Sequence, residues 1–102
     1  MIRKRDHTRR VHLEDRAKLC CYDGRGSRPF VYLDLCIGLQ VGRLVWDDEN
    51  FSKSARNIAL VKKADGWWLE ADVEQTNGAY ERRALCLEER IECFEDGTIE
   101  YV

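Results

Sequence analysis

The stretch Asn50-Phe51-Ser52-Lys53-Ser54-Ala55-Arg56-Asn57-Ile58-Ala59-Leu60 lies at the midpoint of a 102-residue chain and opens the second of two similar halves. Its tail, Asn57-Ile58-Ala59-Leu60, sets against Arg10-Val11-His12-Leu13. Further out, Ala17-Lys18-Leu19-Cys20-Cys21 sets against Leu69-Glu70-Ala71-Asp72-Val73, and Val31-Tyr32-Leu33-Asp34-Leu35 against Arg83-Ala84-Leu85-Cys86-Leu87. An isoleucine follows in each half, Ile37 or Ile91, and then a glycine-led strand, Gly42-Arg43-Leu44-Val45-Trp46 or Gly97-Thr98-Ile99-Glu100-Tyr101. A period of roughly fifty residues is that of a supersecondary unit that cannot close its own core. The repeats therefore span about 6–49 and about 50–102 of one domain, 1–102, because a chain this short holds too little material for two independent cores.

Within the halves the hydrophobic period is mostly two. Trp67, Leu69, Ala71 and Val73 alternate with Trp68, Glu70 and Asp72, and Val31, Leu33 and Leu35 alternate with Tyr32 and Asp34, the pattern of half-buried strands. Turn formers separate them: Asp23-Gly24-Arg25-Gly26-Ser27, Asp47-Asp48-Glu49-Asn50, Ala64-Asp65-Gly66 and Thr76-Asn77-Gly78, with Asn77-Gly78 a strong hairpin signal. Glu81 to Phe94 resists this reading, since Ala84, Leu87, Ile91 and Phe94 have helical spacing among good helix formers. Its first-half counterpart, Phe30 to Ile37, has no such spacing, so a shared shape predicts a strand followed by a helical turn.

Lys and Arg number 17 against 19 Asp and Glu, a net charge of -2, which argues against a nucleic-acid binder with a wide basic face. The N-terminal run Arg3, Lys4, Arg5, Arg9 and Arg10 is basic, and the stretch from Glu81 is acid-rich. No stretch approaches the ~20 apolar residues of a membrane span, and MIRKRDHTRR lacks the apolar segment of a secretion signal. The expectation is a cytoplasmic protein without nucleic-acid or membrane partners.

Five cysteines, Cys20, Cys21, Cys36, Cys86 and Cys93, form an odd set without C-x-x-C spacing, so reduced thiols are expected rather than a disulfide framework. The only histidines are His7 and His12. A tetrahedral zinc site would need ligands gathered from scattered places, and no metal or cofactor is expected. Cys20 and Cys21, adjacent on a strand, should point to opposite faces. No Ser-His-Asp set, paired carboxylates or phosphate-binding glycine loop is placed for catalysis, so the chain does not read as an enzyme.

The segment Asn50 to Leu60 resembles the opening of each repeat in the cyanovirin-N homology family, roughly N-F-S-x-S-C-x-N-I-x-L. Leu33-Asp34-Leu35-Cys36-Ile37 through Gly42-Arg43-Leu44-Val45-Trp46 is similar to the family's I-D-L…I-x-N-x-D-G-x-L-x-W, and Glu95-Asp96-Gly97 keeps the end of that motif. The resemblance implies a mainly β, pseudo-symmetric two-lobe fold, each lobe a three-stranded sheet plus a β-hairpin with short helical turns and strands from both repeats. It also implies a disulfide from each opening segment to the second strand. Thr8 and Ala55 occupy the opening positions here and Cys21 and Val73 the strand positions, so neither bridge can form. Family members swap halves between chains through the link near Asp47 to Asn50; a monomer is expected here, with a domain-swapped dimer as the alternative.

The family's implied ligands are mannose-rich glycans, bound in one shallow pocket per lobe. Carried across, the first candidate pocket comprises Asn50, Ser52, Lys53 and Ser54 from the opening turn and Glu74, Gln75, Thr76 and Asn77 from the hairpin. Its third wall, Ile37 to Gly42 with Gln40, is shorter than the family pattern and lacks its Asn and Asp. The second, weaker pocket takes Asp6, His7 and Thr8 with Tyr22, Gly24 and Asp96. Asn50 and Ser52 are equally natural caps of a helical turn, and Asp96-Gly97 a common turn. A sugar-binding, non-enzymatic protein is the leading expectation, and a protein-interaction module that has lost sugar binding the alternative.

Overall fold

In a computed structural model, residues 10–21 and 29–102 are described. Among these residues ten strands form four antiparallel sheets. In the first repeat β1 (Val11–Glu14), β2 (Lys18–Cys21) and β3 (Phe30–Tyr32) make a three-stranded sheet, and β4 (Ile37–Gln40) and β5 (Arg43–Trp46) a hairpin. The second repeat matches it, with a sheet of β6 (Ala55–Lys63), β7 (Gly66–Glu74) and β8 (Tyr80–Cys86) and a hairpin of β9 (Ile91–Cys93) and β10 (Ile99–Tyr101). Among the described residues three single-turn 3-10 helices connect them: η1 (Leu33–Leu35), η2 (Phe51–Ser54) and η3 (Leu87–Glu89).

Each hairpin packs on the sheet of the other repeat. β5 lies against β8 and β4 against η2, while β10 lies against β3. Each lobe is thus built from both halves, as the resemblance implied. The cause is burial. Leu69, Ala71 and Val73 on one face of β7, and Leu19 and Cys21 on β2, are fully or almost fully buried. A three-stranded sheet has no second layer of its own to cover such a face. Phe51, Leu33 and Ile37 join the same cluster.

The segment after Glu81 is a strand and then a turn. β8 ends at Cys86, and in η3 the Arg90 amide donates to the Leu87 carbonyl at 3.3 Å. The first repeat repeats this geometry in η1, where the Cys36 amide donates to the Leu33 carbonyl at 3.0 Å. Cys36 (φ -135°, ψ -8°) and Arg90 (φ -137°, ψ -3°) share one conformation. Their carbonyls accept from equivalent amides, Asp47 at 2.9 Å and Val102 at 2.8 Å.

That equivalence corrects two sequence expectations. The alternation of Val31, Leu33 and Leu35 does not continue as a strand: β3 stops at Tyr32, Leu33 is buried and Leu35 is 70% exposed. Leu33, not Leu35, occupies the place of Leu87. Ile37 and Ile91 are both buried and both lie two residues beyond their turns, so counting back from these anchors selects Leu33 and Leu87. The same two-residue shift applies to β2. Leu19 pairs with Val31 and Leu69 with Leu85, which makes Cys21 the counterpart of Ala71 rather than of Val73. Ala55 does stand opposite Val73, the cross-strand placement the family's bridge would require.

Cys21 and Cys20 separate as strand alternation requires, Cys21 in the core cluster and Cys20 on the other face. The Cys21 and Cys93 sulfurs lie 3.8 Å apart, joining β2 of one repeat to β9 of the other. Cys36 is buried, and desolvation pushes its thiol up to about 11.

The repeats meet at the link. Trp46 and Tyr101, the last residues of β5 and β10, stack with ring centroids 5.8 Å apart at 22°. Tyr101 hydroxyl donates to Asp47 Oδ1, and Arg90 holds the same carboxylate with Nη1–Oδ2 at 3.0 Å. Asp47 and Asn50 adopt left-handed φ of 61° and 65°, so the link is bent at both ends. The Tyr101 hydroxyl first, and then Arg90, hold the Asp47 carboxyl below its ordinary value. A depressed carboxyl stabilises the fold above the unfolded value of about 3.9, and that contribution is lost as pH falls through the folded value. Asp47→Asn should therefore lower the urea midpoint at pH 7, and the gap from wild type should close by about pH 2. A gap independent of pH would show that the carboxylate's charge plays no part.

Candidate functional site

Three segments converge at one end of the second lobe. The register that sets Ala55 opposite Val73 places the η2 turn beside the end of β7, where the chain runs into Glu74 and Gln75. From there Thr76-Asn77-Gly78 turns into β8. The Gly78 amide donates to the Gln75 carbonyl at 2.9 Å, and Gly78 alone takes a positive φ, 84°. The Asn-Gly signal thus yields a hairpin of the three-residue class, a type I turn closed by a left-handed glycine.

The third segment is the β4–β5 turn, Val41-Gly42, a two-residue connection with φ of 50° and 71°. Gln75 joins it to the second sheet: its Nε2 donates to the Gly42 carbonyl and to the Val73 carbonyl, both at 3.1 Å. A Cβ on Gly42 would lie 2.1 Å from Gln75 Oε1, so a side chain here would push the Gln75 amide out of this position. Gln40, expected in this wall, instead turns its amide toward Asp48 Oδ2 at 3.5 Å in the link. The wall reaches the site through Gly42 because the tight turn leaves no loop to carry a side chain there.

The other expected residues divide by what already holds them. Ser52 donates through its backbone amide to Asp34 Oδ1 at 2.9 Å and through its hydroxyl to Asp34 Oδ2. Asp34 therefore caps η2 from the first repeat, and its carbonyl takes the Asn50 amide at 2.8 Å. From the β1–β2 turn, Arg16 reaches the Ser52 and Ala55 carbonyls at 3.1 and 2.5 Å. Asn50 and Lys53 are exposed, and Ser54 is half-buried. Asn77 Oδ1 accepts from the Ala79 amide at 3.0 Å, a turn-building bond, while Thr76 is exposed beside it. Glu74 Oε2 accepts the Tyr80 hydroxyl at 3.3 Å, and the Arg56 guanidinium lies 3.7 Å from the Tyr80 ring centroid.

The sequence reading placed Gly42 only at the end of the third wall and did not single out Asp34, Arg56 or Tyr80. Asp34 stands within the quoted I-D-L positions, so its signal was present as fold motif rather than as site. In the second candidate pocket, Asp96 Oδ1 accepts from the Thr98 amide at 3.0 Å and the Thr98 hydroxyl at 2.7 Å, within the β9–β10 turn. Asp6, His7, Thr8, Tyr22 and Gly24 lie outside the described residues.

A family model described as CVNH domain matches residues 6–100. Among solved structures, the chain is similar to GzCVNH of Gibberella zeae, with 32% identity, 90% of each chain covered and a TM-score of 0.71. It is also similar to LKAMG, a designed cyanovirin-N homolog lectin, at 25% identity, covering 92% of this chain and 94% of that one, TM-score 0.71. Microvirin, solved as a complex with mannobiose, shares the fold at 20% identity and a TM-score of 0.75, with 94% and 95% of the two chains covered. Among curated proteins none matches the chain.

Proposed function

Because the chain belongs to the CVNH family, we propose that it is a lectin-like protein that binds mannose-type oligosaccharides without turning them over. The observation that carries this reading is the convergence of the η2 turn, the β7–β8 loop and the β4–β5 turn, joined by Gln75 at the Gly42 carbonyl. Asn50, Lys53, Thr76 and Glu74, on the segments that meet there, are exposed and carry the hydrogen-bonding groups that sugar hydroxyls require. Each neutral hydrogen bond nets only about 0.5–1.5 kcal/mol after water is displaced, so one sugar unit binds weakly and affinity must come from several units.

The reading assigns the Asn50–Ser54 and Glu74–Asn77 segments as the principal site. It takes the protein as a monomer in a reducing compartment, its bent link pinned by Arg90 and Tyr101. Among the described residues no helix is long and apolar enough to cross a membrane. Ser52 and Gln75 are committed to Asp34 and Gly42, which favours, as the second reading, a protein-interaction module that keeps the fold without the sugar site.

Titrating a mannose-rich oligosaccharide while following backbone amide shifts separates the two. Localised shifts at 50–54 and 74–77 are expected, with Gln75→Ala weakening binding by about tenfold, the order of one to two hydrogen bonds. No shift at millimolar oligosaccharide would sink the lectin reading, and shifts from N-acetylglucosamine oligomers alone would replace mannose as the ligand class.

A further inference from the structure

The first sheet carries a donor cluster, His12, Glu14 and Cys20, that shares no residue with the proposed sugar site. In β1, His12 and Glu14 are two residues apart and share a face; in β2, Cys20 stands directly opposite His12 and Lys18 opposite Glu14. Leu19 and Cys21 turn into the core cluster, so Cys20 faces the other way, and it is nevertheless buried. Glu14 is the centre: its Oε1 lies 3.4 Å from His12 Nε2, and its Oε2 lies 3.4 Å from Cys20 Sγ. One ligand atom from each residue falls within 4.8 Å of the others. Lys18 Nζ, at 3.8 Å from Glu14 Oε2, supplies a positive charge beside the carboxylate.

We propose that His12, Glu14 and Cys20 form a binding site for a divalent, thiolate-accepting transition-metal ion of the zinc class. The donor set is the ground for the metal: imidazole, carboxylate and thiol together are what zinc selects, whereas calcium and magnesium take oxygen ligands alone. Tetrahedral zinc, with bonds of about 2.0–2.2 Å to nitrogen and oxygen and about 2.3 Å to sulfur, has ligand-to-ligand edges of roughly 3.3–3.7 Å. The two 3.4 Å separations at Glu14 lie at different carboxylate oxygens, so the three ligand atoms, now within 4.8 Å of one another, draw in to such edges as the ion binds. Three protein ligands leave a fourth position to water.

Binding is a ligand exchange without redox change. The Cys20 thiol releases its proton to solvent and its sulfur bonds the metal. His12 coordinates through Nε2 with its proton on Nδ1. Glu14 gives up the thiol hydrogen bond and the Lys18 contact for a metal–oxygen bond, and the ion sheds the waters these atoms replace. Strand pairing brings these ligands together from positions 12, 14 and 20, whose spacing matches no zinc motif.

The test is a cobalt(II) titration of the full chain with its thiols kept reduced. One equivalent should produce a near-ultraviolet sulfur-to-cobalt band and the visible bands of tetrahedral cobalt, and zinc(II) should displace both. Cys20→Ser should abolish the sulfur band, and Cys36→Ser should leave it. Because Cys20 is buried, His12→Gln, at an exposed position, gives a second measure that spares the fold, with cobalt affinity falling at least tenfold. No sulfur band in excess cobalt overturns the proposal. So does a band that survives Cys20→Ser but vanishes in Cys21→Ser or Cys93→Ser, or an affinity unchanged by His12→Gln.

Discussion

Truncating Phe51 to alanine should destabilise the protein by about 3–5 kcal/mol, the usual cost of removing a buried phenylalanine. Phe51 is the largest of the fully buried side chains among the described residues. It begins the η2 turn of the second repeat and sits where β4 of the first repeat packs on that turn. Its ring therefore fills space between the two halves, and neither half alone can collapse into the gap. Against the ~5–15 kcal/mol typical of a small domain, that loss is a large share of the total. With about 4–8 °C of melting temperature per kcal/mol at this size, the midpoint should fall on the order of 15–30 °C, read by circular dichroism. A fall of only a few degrees would mean that the turn does not pack its ring between the repeats.

A chain cut to residues 50–102 should show no cooperative melting transition at all. It retains β6, β7 and β8, but the β4–β5 hairpin that covers this sheet is gone, exposing Leu69, Ala71 and Val73. It also retains the β9–β10 hairpin, now without the β1–β2–β3 sheet beneath it. A chain of ~50 residues with its core halved buries too little apolar surface to offset its conformational entropy. A sharp transition with protected amides in β6 to β8 would show instead that a lobe can close a core from one repeat.

These two effects share a cause that the repeat pattern already contained. A period of roughly fifty residues with alternating apolar positions implies units that need a partner, and the strand exchange is what that need looks like in three dimensions. The strand-plus-turn reading of Glu81 to Phe94 came from the same symmetry, against local helical spacing. Tertiary burial explains the outcome: Leu87 and Ile91 are anchored in the core through a 3-10 turn, not along one face of a helix. Symmetry misled over register, in β2 as well as after β3. Matching Leu35 to Leu87 by motif put Leu35 inside beside Leu33, whereas Leu33 alone is buried, because a sequence motif does not reveal how many residues separate a turn from the next buried strand.

The candidate site was legible as segments and less so as side chains. Asn50 to Ser54 and Glu74 to Asn77 do come to one end of the lobe, as the register of β6 and β7 requires. The roles of individual atoms depended on neighbours distant in sequence. Asp34 captures Ser52, Gly42 takes Gln75, and Asp48 draws Gln40 away; none of these pairs has a local signal.

From the sequence alone followed the predominance of strands, the two-lobe fold and the family, because periodicity and motif are local properties repeated along the chain. Only the tertiary structure decided which leucine enters the core, which polar groups are consumed in holding turns, and that His12, Glu14 and Cys20 meet at all. Those outcomes depend on strand register and on contacts between the repeats, where a shift of two residues exchanges one buried leucine for another and moves every side chain that follows.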